Sequence, residues 1–108
     1  MTRDTTVRDF QAVVERTLGA KDRARGLAGT FMWFTEEVGE LARALKRDPP
    51  DPANLAEEFG DVFAWLATLA SISGVDLADA AARYLDGCPR CRAIPCACGE
   101  RTRFHTSR

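Results

Sequence analysis

The sequence predicts an all-α protein: an antiparallel bundle of about four helices that assembles as a homo-oligomer. Apolar residues recur at intervals of three, four and seven through most of the chain, which is the spacing of one helix face. No segment shows the alternating pattern of a half-buried strand, and no repeat with a solenoid period is present. Prolines 49, 50 and 52 interrupt the helical pattern near its middle, so they predict the turn of a helical hairpin.

Capping and breaking residues divide this pattern into four helices. A small polar residue that accepts hydrogen bonds from the first turn starts a helix, and glycine or proline ends it. Thr5 or Thr6 starts the first helix and Gly19 ends it, and the second helix carries its apolar stripe from Leu27 to Leu45 and ends before Pro49. Asp51 caps the third helix, which ends at Gly74, and Asp76 caps a fourth that runs through Tyr84. The charged segment 21–25 separates the first helix from the second, and Pro52 occupies the first turn of the third.

Length and charge narrow the class of protein. The chain has 108 residues, of which 45% are apolar and 29% charged, as in a single soluble globular domain. The formal net charge of −1 offers no general attraction to nucleic acid or to an anionic membrane, so we expect neither as a partner. Residues 1–11 are polar and lack the apolar core of a secretory signal, so we expect a cytoplasmic protein.

The longest uncharged stretch, residues 62–75, predicts a buried helix. It is too short to span a bilayer, and it is apolar nearly all round. A domain this small hides a limited fraction of its surface, so such a helix needs a second chain to cover it. We therefore expect a homodimer or homotetramer.

Two acidic motifs face each other in the predicted hairpin. Glu37 and Glu40 in the second helix, like Glu58 and Asp61 in the third, are three positions apart and share one helix face. A hairpin that turns at Pro49 pairs residues equidistant from it, which sets Glu37 against Asp61 and Glu40 against Glu58. Four carboxylates this close repel strongly without a cation, and Mg²⁺ prefers oxygen ligands. Acids that simply face the solvent are a good explanation for one such pair. They are a poor explanation for two pairs that face each other in mirrored register.

Each acidic motif also contains a glycine, Gly39 or Gly60, directly before an acid. Glycine inside a helix costs about 1 kcal/mol relative to alanine. We expect the missing side chains to let the two helices approach closely enough to share an ion, although relief of local packing is an alternative.

The same register sets Trp33 opposite Trp65, at one rim of the acidic cluster. Two flat aromatic rings beside an acidic metal site suggest a nucleotide site, with a base stacked on Trp33 or both rings in the core. Phosphates beyond the metal need cations, for which Lys21 and Arg83 are the preferred candidates.

All four cysteines lie close together, as the short-spaced pairs Cys88 and Cys91, and Cys96 and Cys98. In a cytosolic protein this crowding favours a structural Zn²⁺ site over disulfides. A redox pair in the Cys-Pro-Arg-Cys motif and unbound thiols are the alternatives. The short second pair also leaves open whether two subunits share the ligands.

A paired acidic motif, EExxE followed by ExxD, lies in the segments GLAGTFMWFTEEVGELARA (26–44) and EEFGDV (57–62). Together these segments resemble the MazG-like nucleotide pyrophosphohydrolases of the all-α NTP pyrophosphatase superfamily. The resemblance covers about residues 5–86. It implies Mg²⁺-dependent hydrolysis of a ribo- or deoxyribonucleoside triphosphate between the α and β phosphates, which yields the monophosphate and pyrophosphate and clears unwanted nucleotides.

The resemblance also implies roles for individual acids. It makes Glu37, Glu40, Glu58 and Asp61 the Mg²⁺ ligands. Glu36 becomes a candidate to orient or deprotonate the attacking water, although it points about 100° away from Glu37 around the helix.

Three parts of the chain are expected on this basis: residues 1–86 as a MazG-like helical catalytic domain, 87–99 as a Cys-rich zinc knuckle and 100–108 as a basic tail. The tail contains His105, the only histidine, which is not expected at a site.

The sequence features suggest two alternative classes of protein. A di-iron carboxylate bundle also gathers glutamates, but its Glu-x-x-His pairs are absent, since Asp61 stands where the histidine is needed. A non-enzymatic binding module is the second, in which the zinc knuckle contacts a partner or nucleic acid and the acids are structural.

Overall fold

The computed structural model describes residues 3–99, and all regular structure in that range is helical. The elements are α1 (Val7–Lys46), α2 (Pro52–Ile72), α3 (Leu77–Ala81) and a 3₁₀ turn (Ala82–Tyr84). The described range contains no strand, which confirms the all-α class. Within it, the residues up to Leu77 form one compact unit and those from Ala78 onward form a second. The predicted basic tail and His105 lie outside the described residues.

The long helix α1 consists of two helical segments, residues 7–25 and 27–46, which meet at Gly26. Gly26 has φ 89° and ψ 170°, a conformation that glycine adopts readily and other residues do not. The prediction that the first helix ends at Gly19 was wrong, and the charged segment after it is helical too. Gly19 is buried, and a Cβ there would lie 2.6 Å from a carboxylate oxygen of Glu15. Glycine at this position makes room for a side chain and does not end the helix.

The predicted caps around the hairpin are confirmed. The Thr6 hydroxyl accepts a backbone N–H from the first turn of α1 at 3.0 Å. Asp51 does the same for α2 at 3.2 Å, with Pro52 as the first helical residue. α2 ends just before Gly74, whose φ of 76° is incompatible with a continuing helix. Side-chain chemistry at the helix ends therefore fixes where the hairpin turns.

The second segment of α1 and α2 form the predicted antiparallel pair. Trp33 stacks on Trp65 with 6.4 Å between ring centroids and 12° between ring planes, which confirms a register centred on Pro49. The expected close approach at Gly39 and Gly60 was wrong. A Cβ at either glycine would meet nothing within 4 Å among the described residues, because both glycines face open space.

A buried polar network joins both segments of α1 to α2. Asp22 is only 4% exposed, and one of its carboxylate oxygens accepts the Thr68 hydroxyl at 3.0 Å. The other accepts from the Arg25 guanidinium at 3.0 Å. The same Arg25 nitrogen donates to the buried Thr30 hydroxyl at 3.2 Å, beyond the break at Gly26. Since a buried charge needs such partners, the network holds the bend of α1 in place.

The single chain has a small apolar core and an apolar outer surface. Its buried apolar residues in the described range are small: Val14, Ala44, Ala67 and Ala70. Large side chains remain exposed, among them Met32 at 70% and Phe59 at 53%. Leu41, Phe59, Gly60, Val62, Phe63 and Leu66 line an open apolar groove. A single chain thus leaves uncovered much of the surface that folding would be expected to bury.

The most apolar helix is α2, whose C-terminal half carries no charge. Ala67, Thr68 and Ala70 are buried there, whereas Leu66 remains 40% exposed. No single helix within residues 3–99 is long and apolar enough to cross a membrane, and α2 passes that test only when it is counted together with Leu77–Tyr84 across a bend.

Candidate active site

Three of the predicted metal ligands converge on one point of the hairpin. One carboxylate oxygen from each of Glu37, Glu58 and Asp61 lies within 4.8 Å of the other two. Glu37 comes from α1, and the other two come from α2, where the spacing of three places them on one face. Glu37 and Glu58 are half-buried and Asp61 is exposed, so the group lies at the surface end of a partly buried site.

The other two predicted acids lie outside this group of three. Glu40 has a carboxylate oxygen 3.7 Å from the Arg43 guanidinium, one turn further along α1. Its charge still contributes to raising the pKa of Glu37, which places it within electrostatic reach. Glu36 is exposed on α1 beside Glu37. The geometry therefore distinguishes a tight core of three acids from two flanking ones.

Crowding changes the ionisation of the cluster. The pKa of Glu37 is raised from 4.5 to about 7, and the largest cause is a hydrogen bond between the Glu37 and Glu58 carboxyl groups, which share a proton. Burial and the negative charges of Glu58, Asp61 and Glu40 raise this pKa further. Two like charges about 4 Å apart repel by roughly 4 kcal/mol at an effective dielectric constant of 20. In addition, Glu58 Oε1 is buried and has no hydrogen-bond partner. Without a cation, the cluster keeps a proton and an unpaired oxygen.

This ionisation predicts how the stability of the metal-free protein depends on pH. The folded state holds a proton on Glu37 up to about pH 7, whereas the unfolded chain releases it near pH 4.5. The contribution of this proton to the free energy of unfolding is complete below pH 4.5 and is lost as the pH rises through about 7. We expect the melting temperature in EDTA to fall from about pH 5 to about pH 8, and Glu37→Gln to flatten this fall.

The matched control for that titration is Glu36→Gln, which removes a neighbouring exposed acid and should keep the wild-type pH dependence. Differential scanning fluorimetry across the pH series measures all three proteins. The assignment to Glu37 fails if the melting temperature of Glu37→Gln decreases over this pH range by as much as that of the wild type.

Beside the acids, the predicted aromatic pair is joined by an arginine. Trp33 is 52% exposed and stacks on Trp65, and the Arg25 guanidinium carbon lies 5.0 Å from the Trp65 ring centroid. The Arg25 guanidinium in turn donates a hydrogen bond to the Asp22 carboxylate. The sequence reasoning missed both residues because the segment that contains them was interpreted as a loop. Their i,i+3 spacing was the available signal.

A small cavity connects these features. It has a volume of about 160 Å³, and its lining consists of Leu18, Asp22, Asp61, Ala64, Trp65 and Thr68. One acid of the cluster, the buried network and one tryptophan thus border the same concave space. At this volume the cavity is smaller than a typical ligand pocket, so it has room for only part of a ligand.

The structure does not test the phosphate-binding roles predicted for Lys21 and Arg83. Lys21 is exposed and forms no ion pair with the described residues. Arg83 belongs to the second unit, where its guanidinium lies 5.5 Å from the ring centroid of Tyr84. Their roles remain predictions.

The second unit contains the predicted thiol cluster. The Sγ atoms of Cys88, Cys91, Cys96 and Cys98 all lie within 4.8 Å of one another. None of the four is in a disulfide.

Comparison with known proteins places the chain in a family. Residues 26–90 match the MazG nucleotide pyrophosphohydrolase domain. The uncharacterized protein YpjD of Bacillus subtilis (strain 168) is 33% identical over 91 residues, which cover 76% of this chain and 82% of the relative. The chain therefore belongs to the MazG nucleotide pyrophosphohydrolase domain family, which confirms the resemblance found in the sequence. The matched region contains the whole acidic cluster and both tryptophans, but it ends before Cys91.

Proposed function

We propose that this protein is a Mg²⁺-dependent nucleoside triphosphate pyrophosphohydrolase. Water and a ribo- or deoxyribonucleoside triphosphate give the nucleoside monophosphate and pyrophosphate, as the bond between the α and β phosphates breaks. The observation that carries the proposal is the convergence of Glu37, Glu58 and Asp61 within a chain of the MazG family. We further propose that the reaction clears unwanted nucleotides in the cytoplasm.

The donor set fits Mg²⁺. Carboxylate oxygens are the ligands this hard cation prefers, and it commonly shares them with substrate phosphates and water. The unpartnered Glu58 oxygen and the raised pKa of Glu37 mark a site that gains from a positive charge. Glu37, Glu58 and Asp61 would hold the ion, with Glu40 as a further ligand. When bound, Mg²⁺ neutralises phosphate charge, polarises the phosphoryl group and lowers the pKa of a bound water.

The chain's own residues supply the remaining functions. Glu36 is exposed next to Glu37, and we assign it the orientation of the attacking water and acceptance of its proton. No covalent nucleophile is needed. A Glu36→Gln variant should therefore lose turnover while Mg²⁺ still raises its melting temperature.

The aromatic pair supplies a platform for the base. The half-exposed Trp33 ring is backed by Trp65, which Arg25 contacts in turn. Base stacking on such a ring is worth roughly 1–3 kcal/mol and is tolerant of base identity. Lys21 and Arg83 are proposed as additional phosphate-binding cations. Because stacking on Trp33 tolerates any base, specificity for one base depends on the shape of the pocket.

We also propose that the active protein is a homodimer or homotetramer, since the single chain leaves the groove around Phe59 uncovered. Sedimentation at micromolar concentration is expected to give two or four chains. Phe59→Glu should shift the protein toward monomer because it places a charge on the apolar surface, whereas the exposed neighbour Glu57→Gln should not. A wild-type protein that sediments as a monomer would contradict this assembly.

Turnover of a panel of canonical and modified nucleoside triphosphates tests the proposed reaction. Hydrolysis should require Mg²⁺, stop when EDTA is added and resume when Mg²⁺ is restored in excess. The same panel ranks the bases and the two sugars. A folded, Mg²⁺-loaded protein that hydrolyses none of them would refute the activity.

A further inference from the structure

We infer that Cys88, Cys91, Cys96 and Cys98 form a structural zinc site that takes one Zn²⁺ per chain and draws all four ligands from that chain. The family match ends at residue 90, within this cluster, and the proposed hydrolysis does not use it. The inference therefore stands apart from the proposed function.

The spacing of the thiols matches a tetrahedral ion. With Zn–S bonds of about 2.3 Å, the sulfur atoms of a tetrahedral four-thiolate site are about 3.8 Å apart. The Cys88 and Cys98 Sγ atoms are 3.9 Å apart, and all four lie within 4.8 Å of one another. A disulfide requires about 2.05 Å, so these thiols are arranged around a common centre and not as bonded pairs.

Backbone donors prepare the sulfurs for this role. The N–H to Sγ distances are 3.4 Å from Arg90 to Cys88, 3.3 Å from Ala97 to Cys91 and 3.2 Å from Cys98 to Cys96. Such bonds favour the thiolate, which is the form that binds metal, and they orient it.

A tight turn brings the first two cysteines to the same side. The Arg92 N–H donates to the Cys88 carbonyl at 2.7 Å, and the Cys88 N–H donates to the Ala93 carbonyl at 3.1 Å. Arg92 adopts a left-handed φ of 68°, which a non-glycine residue rarely does. A Cβ at Gly87 would lie 2.6 Å from the Arg92 carbonyl oxygen, so the chain can close here only with glycine. Two backbone hydrogen bonds and a glycine at position 87 therefore define the turn that brings Cys88 and Cys91 together.

The surrounding segment has little other means of stability. None of residues 78–99 is fully buried, and the large apolar side chains Leu85 and Ile94 are 77% and 80% exposed. Segments with so small a core commonly depend on a metal for their fold. Four soft thiolates in tetrahedral arrangement favour Zn²⁺, whose structural sites commonly take four cysteine ligands.

The test is the metal content of the purified full-length protein, measured by inductively coupled plasma mass spectrometry. We expect one zinc per chain. Loss of an outer-shell partner already lowers metal affinity about 10- to 100-fold, so Cys96→Ser and Cys98→Ser should each lower it by more than that. Ala97→Ser is the matched control because it adds a hydroxyl between the two ligands, removes no thiol and should retain full zinc.

A second measurement does not depend on the folding of a variant. Wild-type protein stripped with a chelator under reducing conditions is titrated with Co²⁺ alone, and tetrahedral thiolate coordination gives intense visible absorption that Zn²⁺ abolishes. Absence of bound metal, half a zinc per chain, bound iron, or an intramolecular disulfide in freshly purified protein would each overturn the inference. Glu58→Gln should keep its zinc, so failure of the hydrolase proposal and failure of the zinc site give separate results.

Discussion

Glu58→Gln and Asp61→Asn are each expected to reduce triphosphate hydrolysis by about 100-fold or more. Each substitution removes a carboxylate charge that would hold Mg²⁺, and the bound ion would stabilise the negative charge that develops on the phosphate. Both acids belong to the tight group of three, and one oxygen of Glu58 is buried without any other partner. The amides keep the size of the side chains, so helix packing should be preserved. Turnover at saturating Mg²⁺, with circular dichroism to verify the fold, measures the effect.

The control is Glu57→Gln, which removes the exposed acid directly before Glu58 and should leave turnover within twofold of wild type. Glu40→Gln provides a graded comparison. Because Glu40 pairs with Arg43 and lies outside the group of three, its loss should cost less than that of Glu58. Equal losses in Glu57→Gln and Glu58→Gln would mean that the cluster acts only as general negative charge.

Replacement of Asp22 by alanine is expected to destabilise the protein by roughly 3 kcal/mol, the largest effect we foresee away from the acidic cluster. The carboxylate is 4% exposed and accepts from Thr68 and Arg25, so its removal leaves a hydroxyl and a guanidinium without their acceptor. For a domain of this size the melting temperature should fall by about 10–20 °C. Thermal unfolding at one fixed protein concentration measures this.

Lys21→Ala is the matched control, since it changes the exposed residue beside Asp22 and should stay within about 0.5 kcal/mol of wild type. If Asp22→Ala were as stable as Lys21→Ala, the buried network would not hold the bend in α1. Because Arg25 also contacts Trp65, loss of Asp22 should in addition weaken nucleotide binding at temperatures where the variant remains folded.

The helical hairpin was predictable because local chemistry fixes it. Asp51 and Pro52 form the cap and the first turn of α2 from local sequence, and the mirrored spacing about Pro49 was enough to place Trp33 opposite Trp65. The end of the first helix was predicted at Gly19, whereas the helix continues to the break at Gly26. Both Gly19 and Gly26 are consistent with a helix end, and the sequence pattern did not choose between them. The side chain of Glu15, one turn earlier in the same helix, lies over Gly19, whereas the Asp22 network, which reaches Thr68 of α2, lies beside Gly26.

The candidate site was predictable to the extent that it follows from helical periodicity. Periodicity placed Glu37, Glu58 and Asp61 together. It did not separate Glu40 from them, because the competing pair with Arg43 depends on side-chain conformation. It also failed to foresee Arg25 on Trp65, since cation–π contact between distant segments leaves no local pattern. The expected role of Gly39 and Gly60 was wrong because both glycines face open space.

The most direct test of the central claim is the identity of the two products formed from one triphosphate. Wild-type protein with Mg²⁺ and the best substrate of the panel is quenched early, and all phosphate-containing products are separated by ion-exchange chromatography. The account predicts nucleoside monophosphate and pyrophosphate in equal amounts, absent with EDTA and at least about 100-fold reduced in Glu58→Gln. Nucleoside diphosphate with inorganic phosphate would contradict the proposed bond cleavage, and equal turnover in Glu58→Gln would contradict the site.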